Sequence, residues 1–168
     1  MFELDVLEAN LLDGIKIFEL KKNIDERGFF TEIFRNDWTD LFGTDEIVQA
    51  NLSVSYPGMI RAWHKHELGQ IDHFLVLQGA IRICAYDDKQ RELNEIVTSS
   101  EKLQLVRIPG FYWHGFKNIG IGTSYVVYFV NRLYDYQKPD EIRRPWNDPA
   151  IIDPNTGESY DWNRAPHR

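Results

Sequence analysis

Apolar and polar residues alternate with a period of two along much of the chain, the spacing of half-buried strands. Gly14-Ile-Lys-Ile-Phe-Glu-Leu20 is the first such stretch. Phe29-Phe-Thr-Glu-Ile-Phe34 is a second, after the turn Asp25-Glu-Arg-Gly28. Residues 36–42 read as one short helix with Asn36 or Asp37 as its cap. Further strands are predicted over 47–55, 59–66, 72–77, 80–86, 92–98, 102–108, 113–117 and 124–130. Gln78-Gly79 is expected to close a hairpin between 72–77 and 80–86. Short strands at regular spacing with almost no helix predict an all-β antiparallel sandwich or barrel. From Tyr134 the alternation stops. The tail is rich in Pro, Asp, Arg and Trp, and Tyr160-Asp-Trp162 reads as a segment packed through aromatic anchors.

Composition narrows the function classes. A chain of 168 residues is expected to form a single domain, 1–168, with a real core. A net charge of −7 argues against non-specific binding to nucleic acid or to an anionic membrane. An anionic small ligand needs only a local patch of Arg and Lys. The one cysteine, Cys84, has no internal partner and lies in an apolar strand, where it reads as a buried thiol. With no long apolar run, a cytoplasmic location is expected.

The candidate chemistry sits in two stretches. Gly58-Met-Ile-Arg-Ala-Trp-His-Lys-His66 is a turn and a strand carrying Arg61, His64 and His66. Strict alternation would put Ile60, Ala62, His64 and His66 on one face and Arg61, Trp63 and Lys65 on the other. Ile108-Pro-Gly-Phe-Tyr-Trp-His114-Gly-Phe adds a third imidazole after a Pro-Gly turn. One reading is a divalent metal held by His64, His66, Asp72 and His114, in the manner of small β-barrels that bind metal through His-x-His. The other is acid–base chemistry without a metal. A His takes a proton from a carbon beside a carbonyl, a cation or donor steadies the enolate, and an acid such as Tyr returns a proton. His64 is then the candidate base, and Tyr134 and Tyr136 the candidate acids. Arg27, Arg61, Arg143 and Arg144 are candidates for phosphate contacts. His73, beside an apolar run, reads as structural.

The order of these pieces resembles the dTDP-4-dehydrorhamnose 3,5-epimerase family. Asp25-Glu-Arg-Gly-Phe-Phe-Thr-Glu32, Gln49-Ala-Asn-Leu-Ser53 and Arg61-Ala-Trp-His64 are similar to family motifs, as are the 108–116 stretch and Pro145-Trp-Asn-Asp-Pro149. The resemblance covers residues from about Gly14 to Trp162. It implies a cupin-type antiparallel jelly-roll barrel with short helical and irregular C-terminal segments. It also implies a homodimer acting on a nucleotide-linked 4-keto-6-deoxysugar without a metal or other cofactor. His64 falls on the family's base, and Arg27 and Arg61 on diphosphate-binding positions. Phe30, Glu32, Gln49 and Asn51 fall on nucleotide- or sugar-contacting positions, and His114 on the pocket floor. Tyr134 has the spacing of the acid counted from Tyr128, Tyr136 the spacing counted from Trp146, and Tyr134 is favoured.

The chain departs from the family pattern at the chemistry. Asp72 stands where the family's enolate-stabilising Lys is expected, and His66 is an added imidazole. The segment whose Asp orients the base is not seen after the Trp-Asn-Asp-Pro motif. His64-Lys-His66 with Gln70 also resembles the dTDP-4-keto-6-deoxyglucose 3,4-ketoisomerases, cupins acting on the same substrate class. A nucleotide-sugar epimerase is the expectation. A ketoisomerase, a metal-dependent cupin and a non-catalytic sugar-nucleotide-binding cupin are the alternatives.

Overall fold

The computed structural model describes residues 10–166. The first sheet is ordered β1 (Lys16–Glu19), β9 (Gln104–Pro109), β6 (Ile71–Gln78), β11 (Ser124–Val130), β4 (Gln49–Ser55). The second is ordered β12 (Ile142–Arg143), β5 (Ile60–Lys65), β10 (Trp113–Asn118), β7 (Ala80–Asp87), β8 (Glu92–Ser99). Every pairing is antiparallel, and the architecture is the expected all-β cupin jelly roll. A separate hairpin, β2 (Asn23–Asp25) with β3 (Gly28–Phe30), is exposed throughout. The expected 29–34 strand stops at Phe30. Helix α1 (Thr39–Phe42) starts later than expected: Trp38 is its N-cap and makes no side-chain cap bond. Asp37 instead binds Arg35 at 2.6 Å.

Three cores follow from the alternation. Phe74, Val76, Val106, Ile108 and Val126 of the first sheet face Ile81, Ile83, Ala85 and Phe116 of the second. The outer face of the first sheet, with Leu75, Leu105 and Phe129, is covered by Leu41 and Phe42 of α1. The outer face of the second, with Trp63, Cys84 and Tyr86, is covered by Ile151, Tyr160 and Trp162 of the tail. A strand buried on both faces reads as a near-continuous apolar run; β7 does so apart from the buried Arg82. Cys84 is fully buried, as expected, and burial pushes its thiol up to about 12. His73 is also buried, bonded through Nδ1 to the Phe129 carbonyl at 3.3 Å, and burial lowers it to about 4.

The Gln78-Gly79 hairpin is not formed. β6 and β7 lie in different sheets, and Gly79, at φ 83°, turns the chain from one sheet to the other. The hairpin partner of β7 is β8, across the 87–92 turn.

The tail anchors make a direct stability test. Trp162 is buried, 4.8 Å from the Trp63 ring, and its carbonyl accepts bonds from Arg82 and Lys117 at 2.5 and 3.0 Å. Trp162→Ala is expected to cost about 3–5 kcal/mol, read as a lower urea midpoint at unchanged slope. The indole N–H has no acceptor among the described residues. Trp162→Phe removes that orphan donor and keeps one aromatic ring, so it should cost less than Trp162→Ala.

Candidate active site

Between β4 of the first sheet and β5–β12 of the second lies a cavity of about 430 Å³. Gln49, Asn51, Arg61, His64, His66, Asp72 and Tyr134 line it. His114 lies just beneath, fully buried, with its ring centroid 4.3 Å from that of His64.

Strict alternation fails in β5, and the failure builds the site. Against β10, His64 pairs with His114 and Arg61 with Phe116, so three steps on β5 match two on β10. The extra residue is a bulge. The Ala62–Trp63 peptide within it is cis. Because paired residues share a face, Arg61 and His64 stand on the same side, contrary to the expectation. Trp63 turns outward onto Tyr160 and Trp162, and Lys65 lies 5.0 Å from the Trp113 ring centre. Gly115 makes this close approach feasible. A Cβ there would meet the Ala62 side chain and lie 2.5 Å from the Arg61 carbonyl oxygen.

The histidines differ in their partners. His66 Nδ1 bonds to the Asp140 carbonyl, and His114 Nδ1 to the Tyr112 carbonyl at 2.8 Å. Their Nε2 atoms face Asp72 Oδ2, at 3.6 Å from His66 and 2.9 Å from His114. Gln70 donates to the other oxygen of Asp72 at 2.9 Å. These contacts hold the buried Asp72 carboxyl far below its usual range against the opposing cost of burial. Asp72 in turn raises His66, outweighing the cost of burying its charge. The His64 side chain has no hydrogen-bond partner among the described residues. Burial and then the neighbouring His114 hold it well below the usual imidazole value, so it is neutral at pH 7.

Along β4, Gln49 Nε2 donates to Asn51 Oδ1 at 2.8 Å, and Gln49 Oε1 accepts from the Tyr134 N–H at 2.9 Å. Arg61 is tied to Ser55 Oγ at 2.8 Å and to the Val54 carbonyl at 2.9 Å. The cavity therefore has a polar wall, a cationic flank and a histidine floor, suited to a polar, anionic ligand.

A family model described as the polysaccharide biosynthesis C-terminal domain matches residues 23–142. A probable low-salt glycan biosynthesis epimerase of Haloferax volcanii is 40% identical over 161 residues, covering 93% of this chain and 97% of that protein. A dTDP-4-dehydrorhamnose 3,5-epimerase of Methanothermobacter thermautotrophicus is 32% identical, covering 83% and 78%. The chain belongs to the dTDP-4-dehydrorhamnose 3,5-epimerase family. A solved epimerase of this family from Legionella pneumophila, in complex with dTDP-4-keto-L-rhamnose, superposes with a TM-score of 0.78 at 27% identity, covering 89% of this chain and 81% of that one. These relatives make the chain a sugar-nucleotide epimerase in kind, of polysaccharide and deoxysugar biosynthesis.

For this epimerase, several expected site residues do not reach the cavity. Arg27 is 85% exposed and paired with Asp25, Glu32 is paired with Arg35, and Phe30 is exposed on β3. Tyr136 is 89% exposed and does not line the cavity, although its ring lies 5.1 Å from that of Tyr134, which does. Arg144 reaches the wall but is held by Asp88 at 3.1 Å and lies 4.0 Å from the Trp113 ring centre. The residue that sequence reading missed is Asp140. Its carboxylate accepts the N–H groups of Glu67 and Leu68 at 2.9 and 3.0 Å, and its carbonyl orients His66. No local pattern marks it; only the fold brings residue 140 to residue 66. No helix among the described residues is long and apolar enough to cross a membrane.

The floor also fits a cation. His64, His66, Asp72 and His114 each offer a ligand atom within 4.8 Å of the others. Each nitrogen of His114 faces an oxygen, whereas a neutral ring carries one N–H. Imidazoles tied through Nδ1 to carbonyls are how metal ligands are oriented.

Proposed function

We propose that this protein epimerises a nucleotide-linked 4-keto-6-deoxyhexose of the dTDP type, with His64 as base and Tyr134 as acid. The observation that carries this reading is His64: its side chain is neutral, has no hydrogen-bond partner among the described residues and is set in the cavity wall. A neutral imidazole with an unshared lone pair can take the acidic proton beside the C4 carbonyl. Tyr134 returns a proton to the opposite face, solvent then takes the proton from His64 and resupplies Tyr134, and the net reaction is an isomerisation that consumes nothing. Arg61 serves the diphosphate, and Gln49 and Asn51 the sugar or base. Proton NMR of a dTDP-4-keto-6-deoxyhexose incubated with the protein should show a new epimer. A product with its keto group at C3 would favour the ketoisomerase alternative, and dTDP binding without turnover the non-catalytic one. Tyr134→Phe should block net epimer formation, whereas Tyr136→Phe should leave it within about threefold.

The same reading makes the protein a homodimer. Arg27 matches a diphosphate-binding position and Phe30 and Glu32 match nucleotide- or sugar-contacting ones, yet they miss their own chain's cavity, and Ile24, Phe29 and Phe30 of the same hairpin are 78%, 55% and 66% exposed. A second copy is the partner whose cavity they would complete. Light scattering should give twice the chain mass.

A second reading is favoured by the convergence of His64, His66, Asp72 and His114. These residues would hold a divalent metal, which when bound supplies Lewis-acid polarisation of the keto oxygen. Elemental analysis and chelation test it. One equivalent of metal, with activity lost to chelator and restored by the metal, supports it. Metal far below one equivalent, with activity insensitive to chelator, removes it.

A further inference from the structure

Taking a proton from the carbon beside a carbonyl leaves negative charge on the keto oxygen, and a cation there lowers the barrier. The resemblance expects a lysine where Asp72 stands. Asp72 brings a negative charge, taken up by His114, His66 and Gln70, so β6 supplies no cation. Arg61 already uses two of its nitrogens on Ser55 and Val54, Arg144 is engaged by Asp88 on the Trp113 ring, Lys65 faces outward, and Arg132, which also lines the cavity, lies past the end of β11 with no register pairing to His64.

Arg143 is placed differently. On β12 it is the register partner of His64, and His64 is the register partner of His114 on β10. Directly opposed residues share a face with Cβ atoms about 4.5–5.5 Å apart. The row His114–His64–Arg143 therefore crosses three strands, and Arg143 lines the cavity beside the base. Its side chain is 75% exposed and shares one nitrogen with Glu141 Oε2 at 3.0 Å. An exposed pair of this kind is weak and leaves other N–H groups for a ligand. The charge of Arg143 also helps keep His64 neutral.

We infer that Arg143 is a catalytic residue, donating to the keto oxygen as it becomes the enolate oxyanion, in place of the lysine expected at position 72. The inference rests on the ketosugar reading. His64 accepts the proton, the C–H pair becomes the C=C bond, and the carbonyl π pair moves onto the oxygen that Arg143 holds. Reprotonation at carbon by Tyr134 reverses the electron flow, so no oxidant or reductant is required.

Solvent deuterium incorporation into a dTDP-4-keto-6-deoxyhexose, measured beside dTDP affinity by calorimetry, tests this. Arg143→Ala should slow incorporation by about 10²–10³-fold, with the dTDP dissociation constant within threefold of wild type. Arg143→Lys should retain a tenth or more of the rate, and added guanidinium ion should restore part of the activity of Arg143→Ala. Incorporation by Arg143→Ala within threefold of wild type overturns the inference. So does a loss matched by equally weakened dTDP binding, which would make Arg143 a phosphate contact. Absence of incorporation in the wild-type protein overturns the ketosugar reading and this inference with it.

Discussion

His64→Gln is expected to lower turnover by about 10²–10⁴-fold while leaving fold and dTDP affinity intact. The separation of these effects follows from the contacts of the residue. The His64 side chain has no hydrogen-bond partner to lose among the described residues, so replacing it leaves no buried acceptor or donor unsatisfied. His114 remains bonded to Tyr112 and Asp72, and the floor keeps its shape. Arg61, assigned to the diphosphate, remains anchored by Ser55 and Val54. Steady-state kinetics, a thermal melt and dTDP calorimetry on one variant separate the roles. A stability loss equal to that of a core deletion would make His64 a structural residue instead.

Gly115→Ala should be far more damaging than its single added methyl suggests. The new Cβ would sit against the Ala62 side chain, 2.5 Å from the Arg61 carbonyl oxygen and 2.7 Å from Ala62 Cα. Backbone cannot rotate aside as a flexible side chain can, so β5 and β10 must separate. Overpacking of this kind costs about 1–3 kcal/mol and sometimes more. A melting temperature lower by roughly 2–12 °C is expected for a domain of this size. Activity should fall as well, because the displaced stretch carries both Arg61 and His64. Gly122→Ala is the matched control, since a Cβ there meets nothing within 4 Å. Equal melting temperatures for the two variants would contradict the account of the bulge.

Much of the fold is legible in the sequence, for physical reasons. Period-two alternation marks half-buried strands, and the core strands of both sheets appear where it does. The aromatic tail residues Tyr160 and Trp162 could be read as anchors because burial of large rings is what secures an irregular segment. Other features depend on contacts distant in sequence. Gln78-Gly79 signals a tight turn, but a turn does not say whether its strands pair or part into two sheets. The face of Arg61 departs from strict alternation because of the bulge in β5, for which Gly115 on another strand leaves room. His64, His66, Asp72 and His114 could be grouped by motif, and the fold does converge them. Arg27, Phe30 and Glu32 could be matched to positions, but position along one chain does not say whose cavity they serve. Asp140 and the pairing of Arg143 with His64 depend on how the irregular tail returns to β5.

The central claim is that His64 abstracts a proton from carbon beside a keto group. The most direct measurement is deuterium incorporation from heavy water into a dTDP-4-keto-6-deoxyhexose by the wild-type protein, with His64→Gln alongside. The expected result is incorporation at a ring carbon during wild-type turnover and a rate at least 100-fold lower in the variant. Wild-type protein that binds dTDP but incorporates no deuterium, or a variant that incorporates at the wild-type rate, would contradict it.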